Sequence, residues 1–398
     1  MEDRQLVREK IAQATDILDE MGVDVWLTFV RETSLAPDPV LALILGMDVT
    51  WQSAFLLSRS SRHTAIVGFY DADNVRQLDA YETVIGYHKS MGEHLRLALD
   101  ELQPRQIAIN YSQTDVAADG LSHGMYLTLR QLLQDTPHLE RLAPAEGVNA
   151  ALRGRKSATE IARVRQAIAT TQQLFDEVEQ VVRPGMTQRQ IAAFVQQRIE
   201  EMGLGYAWDK PYNPIVTCGP GSAIGHAMPG DVVLEQGHTL HLDLGVRQNE
   251  YCSDLQRTWY ALDEGETEAP PPVRRAFDVV RGAIEAGRAA LRPGAPGWQV
   301  DAAARAYVLD HGYAEFMHAF GHLLGRSAHD GATVLGPRWE RYEGICELPV
   351  EVDNIFTLEL HVVVPERGLV SLEEEVLVTA DGAEYLSEPQ TELRLIGR

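Results

Sequence analysis

Basic residues, cysteines and long apolar runs are all scarce in this chain. Its 398 residues hold 35 Lys and Arg against 58 Asp and Glu, a formal charge of −23. That surplus repels phosphate backbones, so nucleic acid is not an expected partner. The three cysteines (Cys218, Cys252 and Cys346) form no C-x-x-C pair, and their odd number implies no disulfide framework. No run of about 18 apolar residues is present, which excludes a helical membrane span. The opening MEDRQLVREK lacks the apolar stretch of a secretory signal. The expected setting is the cytoplasm. The length is too great for one ordinary core and suits two domains.

Acids are abundant, and a few fall in a telling pattern. Segment 241–255 reads HLDLGVRQNEYCSDL, with Asp243 and Asp254 equidistant from Gln248-Asn249. A two-residue hairpin turn there sets the two aspartates opposite each other, and Asn tolerates the positive φ such turns need. Opposed side chains have Cβ atoms about 4.5–5.5 Å apart. Paired metal ions sit roughly 3.5–4 Å apart, so a metal-binding hairpin is one reading. A polar surface hairpin is the other. Leu240, Leu242 and Leu244 flank Asp243 and favour a buried strand, where an unpartnered carboxylate is costly. Cys252 lies beside Asp254, but strand alternation points it to the opposite face.

Residues 1–150 read as a small α/β domain. An amphipathic helix is expected over about 3–22, with strands at 24–30, 51–58 and 64–69. An extended loop with Pro37 and Pro39 spans 32–46, and helices recur near 90–102 and 122–135. No catalytic motif appears there. His63, His88, His94, His123 and His138 are scattered and read as ordinary surface or core residues.

A second domain covers 151–398. Ser157 and Glu160 make a capping box, which opens a helix with Val164, Ile168 and Phe175 at helical spacing. This domain repeats itself. Arg183-Pro184-Gly185 recurs at Arg292-Pro293-Gly294, an offset of 109 that also maps Gly203 onto Gly312 and Phe175 onto Ile284. Each copy is a long helix, a Pro-Gly stop, a second helix and a glycine cap, followed by an antiparallel sheet. TLHLDLG (239–245) then resembles FTLELHV (356–362), making Glu359 the mirror of Asp243. Each half adds a second acid, Asp254 in one and an acid of the triplet Glu373-Glu374-Glu375 in the other. Alternation sends Glu373 and Glu375 to the same face and does not choose between them.

With these motifs in place, the chain resembles the pita-bread metallopeptidases. That group includes methionine aminopeptidase, Xaa-Pro aminopeptidase and Xaa-Pro dipeptidase (prolidase). The resemblance covers 150–390, and the N-terminal part is similar to that of the prolidase and creatinase branch. It implies an α+β architecture: a pita-bread domain of two pseudo-twofold halves behind a smaller α/β domain. It implies five metal ligands: Asp243, Asp254, His322 in FGHLLGRSAHDG, Glu359, and Glu373 as the bridging acid. Glu359 would also serve as the proton acceptor. His329, seven residues after His322, and His226 in GPGSAIGHAMPGD would contact the substrate. The implied cofactor is two divalent ions. Ligand hardness favours Mn²⁺, and affinity order favours later metals such as Co²⁺ or Zn²⁺. The implied partner is a proline-containing dipeptide or short peptide, and the implied assembly is a homodimer.

The chain departs from the family in several places. Leu360-His361 follows Glu359 where relatives usually carry proline. Asp330-Gly331-Ala332 follows His329 where Glu-x-Pro is usual, and Ser371 stands where an arginine is often found. These changes leave the ligand set intact and bear on the choice between dipeptides and longer peptides: the resemblance implies an Xaa-Pro dipeptidase first, with an Xaa-Pro aminopeptidase or a creatinase-like amidase on the same scaffold as alternatives. His238, His241, His318 and His361 read as structural, although His361 shares a strand face with Glu359. The loop 31–48, with Arg31, Asp38 and Asp48, reads either as a cap on a neighbouring subunit's pocket or as a plain surface loop.

Overall fold

The computed structural model describes residues 4–397. Its contacts divide the chain into two compact units, Met1–Arg153 and Gly154–Arg398. Among the described residues, no helix is long and apolar enough to cross a membrane.

In the first unit, α1 (Arg4–Met21), β1 (Val25–Val30), α2 (Leu41–Ile44), β2 (Ser53–Ser58), β3 (Thr64–Gly68) and α3 (Ala72–Arg76) come first. Then follow β4 (Thr83–Tyr87), α4 (Gly92–Leu102), β5 (Ile107–Ile109), α5 (His123–Leu132), β6 (Leu142–Pro144) and α6 (Glu146–Gly154). The strands form one mixed sheet in the order β4-β3-β2-β1-β5-β6. Strand alternation divides its apolar residues between two cores. Trp26 and Val30 join α1, while Val25, Leu27 and Phe29 pack with Leu95 and Leu99 of α4. The expected start of the first helix at residue 3 lies outside the described residues. The expected extended loop at 32–46 is interrupted by α2, because Leu41, Leu43 and Ile44 bury their side chains in the α1 core. Strands β4, β5 and β6 escape a reading by pattern because they are only three to five residues long.

The second unit begins with α7 (Ala158–Val181) and α8 (Gln188–Glu201), then β7 (Gly205–Tyr206), β8 (Ile215–Cys218) and β9 (Thr239–Leu244). Next come β10 (Val246–Gln248), β11 (Tyr251–Cys252), β12 (Leu255–Ala261), α9 (Pro271–Ala290) and α10 (Gly297–Asp310). The last elements are β13 (Gly321–His322), β14 (Val334–Leu335), β15 (Ile355–Val364), β16 (Gly368–Thr379), β17 (Gly382–Tyr385) and β18 (Arg394–Ile396). Ser157 and Glu160 form the expected capping box at the start of α7. The repeat is visible in the backbone. Gly185 and Gly294 have φ of 96° and 84°, and Gly203 and Gly312 have 68° and 83°. Each pair ends equivalent helices in the left-handed region that glycine enters without strain.

The main sheet of this unit runs β15-β16-β12-β9-β8, with β17 beside β16 and β18 beside β12. Two hairpins, β9/β12 and β15/β16, meet at β12 and β16. All these pairings are antiparallel except β12 with β18. The first hairpin is not closed as the symmetric reading requires. Its turn is Asn249-Glu250, with φ of 49° and 67°, and Gln248 pairs with Tyr251. Positive φ at both central residues is the type I′ geometry, which favours Asn at the first of them. Asp243 therefore faces Gln256 and not Asp254.

The same hairpin bends at Gly245 and Ser253, where it passes from the main sheet into a small sheet of β11, β10 and β7. A Cβ on Gly245 would lie 2.1 Å from the Ser253 carbonyl oxygen. Glycine is thus required for the close approach that turns Asp254 towards Asp243. Gly245→Ala is expected to destabilise the protein by about 1–3 kcal/mol through overpacking. Urea denaturation of the variant measures this, and an unchanged midpoint would refute the requirement.

Candidate metal centre

One row of side chains crosses five strands on a single face of the main sheet. Ile215 pairs with Asp243, Asp243 with Gln256, Gln256 with Glu373, and Glu373 with Glu359. Asp254 is two residues before Gln256, so strand periodicity keeps it on this face as a diagonal neighbour of Asp243. The two aspartates line the same cavity. The register shift therefore changes the neighbour of Asp243 without separating the acids.

His322 comes from a different element, the short strand β13. Its Nε2 lies 3.8 Å from Asp254 Oδ2 and 3.8 Å from Glu359 Oε1. Its Nδ1 approaches the Leu323 carbonyl at 3.4 Å, which leaves Nε2 as the lone-pair donor facing the acids. Burial pushes His322 down to about 3, so the ring is neutral. Donor atoms of Asp254, His322 and Glu373 all lie within 4.8 Å of one another.

These residues fit a pair of divalent cations. Four carboxylates and one neutral imidazole are an O-rich donor set of the hardness such ions take. Asp243 Oδ1 and Glu373 Oε1 are buried and have no hydrogen-bond partner among the described residues. Burial and the nearby charge of Glu359 push Asp243 up to about 8. Burial, reinforced by neighbouring acids, raises Asp254 and Glu373 well above the usual carboxylate range. Mutual repulsion of this kind is relieved by a bound cation.

The acidic triplet divides cleanly. Glu373 belongs to the row. Glu375, on the same face, accepts the Asp254 backbone N–H at 2.5 Å and so holds the bent strand. Glu374 points to the other face and pairs with buried Arg257 at 3.0 Å. Cys252 is also turned away: its Sγ approaches the Arg326 carbonyl at 3.5 Å, and burial pushes its thiol up to about 12.

Two cavities meet at the row. One, of about 370 Å³, is walled by Trp208, Tyr212, Ala328 and His329 beside Asp254, His322 and Glu373. The other, of about 460 Å³, is walled by Ile224, Met317 and Leu369 together with His241, His318, His361 and Ser371. Ile215, His226, Asp243 and Glu359 border both. His329 stands edge-on to His322, with ring centres 4.2 Å apart. Burial lowers its pKa. His226 sits on an exposed loop at the mouth.

Three histidines read as structural from the sequence turn out to line a cavity. His318 and His361 stack with centroids 5.2 Å apart and are linked Nε2 to Nδ1 at 3.2 Å. His241 bridges Thr217 and Gln256 at 2.7 and 2.9 Å. His238 packs instead beneath Gly219. The residue that sequence reasoning missed is Gln256. Its only signal was its place two residues after Asp254, on the same strand face. In the first unit, Asp38 and Asp48 of the loop 31–48 are engaged internally. Asp38 accepts from Asn110 Nδ2 at 2.9 Å, and Asp48 accepts from Thr33 Oγ1 at 2.8 Å.

Residues 162–380 match the model of metallopeptidase family M24. An uncharacterized peptidase of Staphylococcus aureus is 29% identical over 237 residues, which is 59% of this chain and 63% of that protein. The Xaa-Pro dipeptidase of Pyrococcus furiosus is 28% identical over 211 residues, 52% of this chain and 56% of that protein. The chain thus matches less than two thirds of these relatives' length. Among solved structures, the Xaa-Pro dipeptidase from Bacillus anthracis superposes with a TM-score of 0.74 at 22% identity, covering 98% of this chain and 100% of that one. The X-Pro aminopeptidase from Thermotoga maritima gives 0.71 at 22% identity, covering 97% and 99%. The architecture is therefore the pita-bread fold with its smaller N-terminal α/β unit. The matched segment carries the helix repeat, both hairpins and the whole row of acids, and this chain belongs to metallopeptidase family M24.

Proposed function

We propose that this protein is a metal-dependent peptidase that hydrolyses the bond between an N-terminal residue and proline, with Xaa-Pro dipeptides as substrates. The observation that carries this reading is the convergence of four carboxylates and a neutral imidazole where two cavities meet. The Xaa-Pro peptidases among the proteins it resembles support it. Asp243, Asp254, His322, Glu359 and Glu373 would hold two divalent ions, with Mn²⁺ proposed on ligand hardness. When bound, such ions would lower the pKa of a water and polarise the scissile carbonyl. Glu359 takes a proton from the attacking water and delivers it to the leaving nitrogen. His226 and His329 hydrogen-bond the oxygen on which negative charge develops. The cavity walls of Trp208, Tyr212 and Ala328 exclude water and accept an apolar side chain.

One observation favours a second reading, an Xaa-Pro aminopeptidase acting on longer peptides. Neither cavity has a Lys or Arg among its lining residues, so the free carboxylate of a dipeptide meets no cation there. A cytoplasmic homodimer is the proposed state. The three cysteines are free and buried, as suits a reducing compartment.

Metal analysis combined with a peptide panel tests the proposal. About two equivalents of divalent metal are expected, with Xaa-Pro substrates cleaved at least about tenfold faster than Xaa-Ala. Equal rates on both, or no cleavage by the metal-loaded protein, would reject it. Comparing Xaa-Pro with Xaa-Pro-Xaa separates the two readings.

A further inference from the structure

We infer that Gln256 is the positioning residue of this centre: its side-chain amide holds Glu359 and Glu373, and Ser371 and His241 hold the amide. The inference rests on the metal-peptidase reading above.

The hydrogen bonds allow one orientation of the amide. Gln256 Nε2 lies 2.9 Å from Glu359 Oε2 and 3.0 Å from Glu373 Oε2. Carboxylates that hold a cation are ionised and only accept, so for the loaded centre the nitrogen faces them and donates to both. Gln256 Oε1 in turn accepts from Ser371 Oγ at 2.6 Å and from His241 Nε2 at 2.9 Å. With Nε2 donating, neutral His241 presents Nδ1 as the acceptor for the Thr217 hydroxyl at 2.7 Å. Both N–H groups and both lone pairs of the amide are engaged, and the side chain is only 6% exposed. A buried polar network satisfied this fully fixes its members. One oxygen of each glutamate is capped. Glu373 Oε1 stays without a partner, and Glu359 Oε1 faces His322.

The pseudo-twofold arrangement explains why an amide sits here. Asp243 and Glu359 lie on the outer strands of the paired hairpins, and Gln256 and Glu373 face each other on the inner strands. The inner position is thus a carboxylate in one half and its neutral counterpart in the other. A further carboxylate there would repel the other acids, and a lysine or arginine would compete with a bound cation. Ser371, on β16, reaches the amide oxygen of Gln256. Its short side chain leaves room for the Gln256 amide and supplies the hydroxyl that orients it.

The test uses the metal-free full chain titrated with Co²⁺, followed by calorimetry and visible absorption. Gln256→Met keeps the side-chain length and removes the hydrogen bonds. It is expected to weaken Co²⁺ binding by about 10–100-fold and to alter the Co²⁺ spectrum. Ser371→Ala acts in the same direction with a smaller effect. The double variant should bind no worse than Gln256→Met, because both changes act through one amide. Should Gln256→Met fail to fold by circular dichroism, Ser371→Ala carries the test. Wild-type affinity and spectrum in the folded variants, or losses that multiply in the double variant, would overturn the inference. If the unaltered protein takes up no Co²⁺, the metal-peptidase reading falls and takes this inference with it. Uptake by wild type with unchanged variants removes only the role of Gln256.

Discussion

Glu359→Gln is expected to lower kcat on Xaa-Pro substrates by on the order of 10²–10⁴-fold while the fold persists. Glu359 borders both cavities, as a residue that passes a proton from one side of the scissile bond to the other must. Its Oε2 is capped by Gln256 at 2.9 Å, and Oε1 faces His322 Nε2 at 3.8 Å. The amide variant keeps the shape of the side chain and removes its charge and its basic oxygen. The oxygen of the new amide can still accept from Gln256 Nε2. Steady-state kinetics beside circular dichroism and metal analysis decide the point. A folded, metal-loaded variant within about threefold of wild type would sink the proton-transfer role.

The second large effect concerns the protein stripped of metal. Burial lifts Asp243 from 3.8 to about 8 and raises Asp254 and Glu373 in the same direction. Between those values the folded metal-free chain keeps protons that the unfolded chain has released. Folding therefore binds protons, and stability falls as pH rises through this window. The loss is on the order of a few kcal/mol, or roughly 5–15 °C in Tm for a unit of this size. Buried His322, His241 and His361 act in the opposite sense below about pH 6.5, so thermal melts of chelated protein between about pH 6.5 and about pH 8 should show the decline, and added Mn²⁺ should flatten it because a cation replaces the missing protons. A chelated protein whose Tm rises over that range would contradict the burial of these acids.

Much of this centre is legible in the sequence. The recurrence of Arg183-Pro184-Gly185 at Arg292-Pro293-Gly294 exposed the repeat, the pairing of TLHLDLG with FTLELHV made Glu359 the mirror of Asp243, and the strand period assigned Glu373 and Glu375 to one face. What misled was the hairpin. Placing its turn at Gln248-Asn249 set Asp243 against Asp254, whereas the chain turns one residue later and bends at Gly245. The slip did little harm, because a shift of two residues along a strand returns side chains to the same face. It did conceal Gln256, which the true register places between Asp243 and Glu373. His318 and His361 were read as structural because a cavity wall and a core give the same local pattern.

The sequence by itself determined which residue types are at hand, which face of each strand they occupy, and that two related halves carry them. Those are properties of local period and composition. Only the tertiary structure decided which acids become neighbours, that Glu373 joins the row while Glu375 ties down a backbone, and that an amide stands between the carboxylates. Such choices depend on register across strands distant in the chain. Two positive-φ turn residues and one glycine close approach set that register in the first hairpin, and no periodicity encodes it.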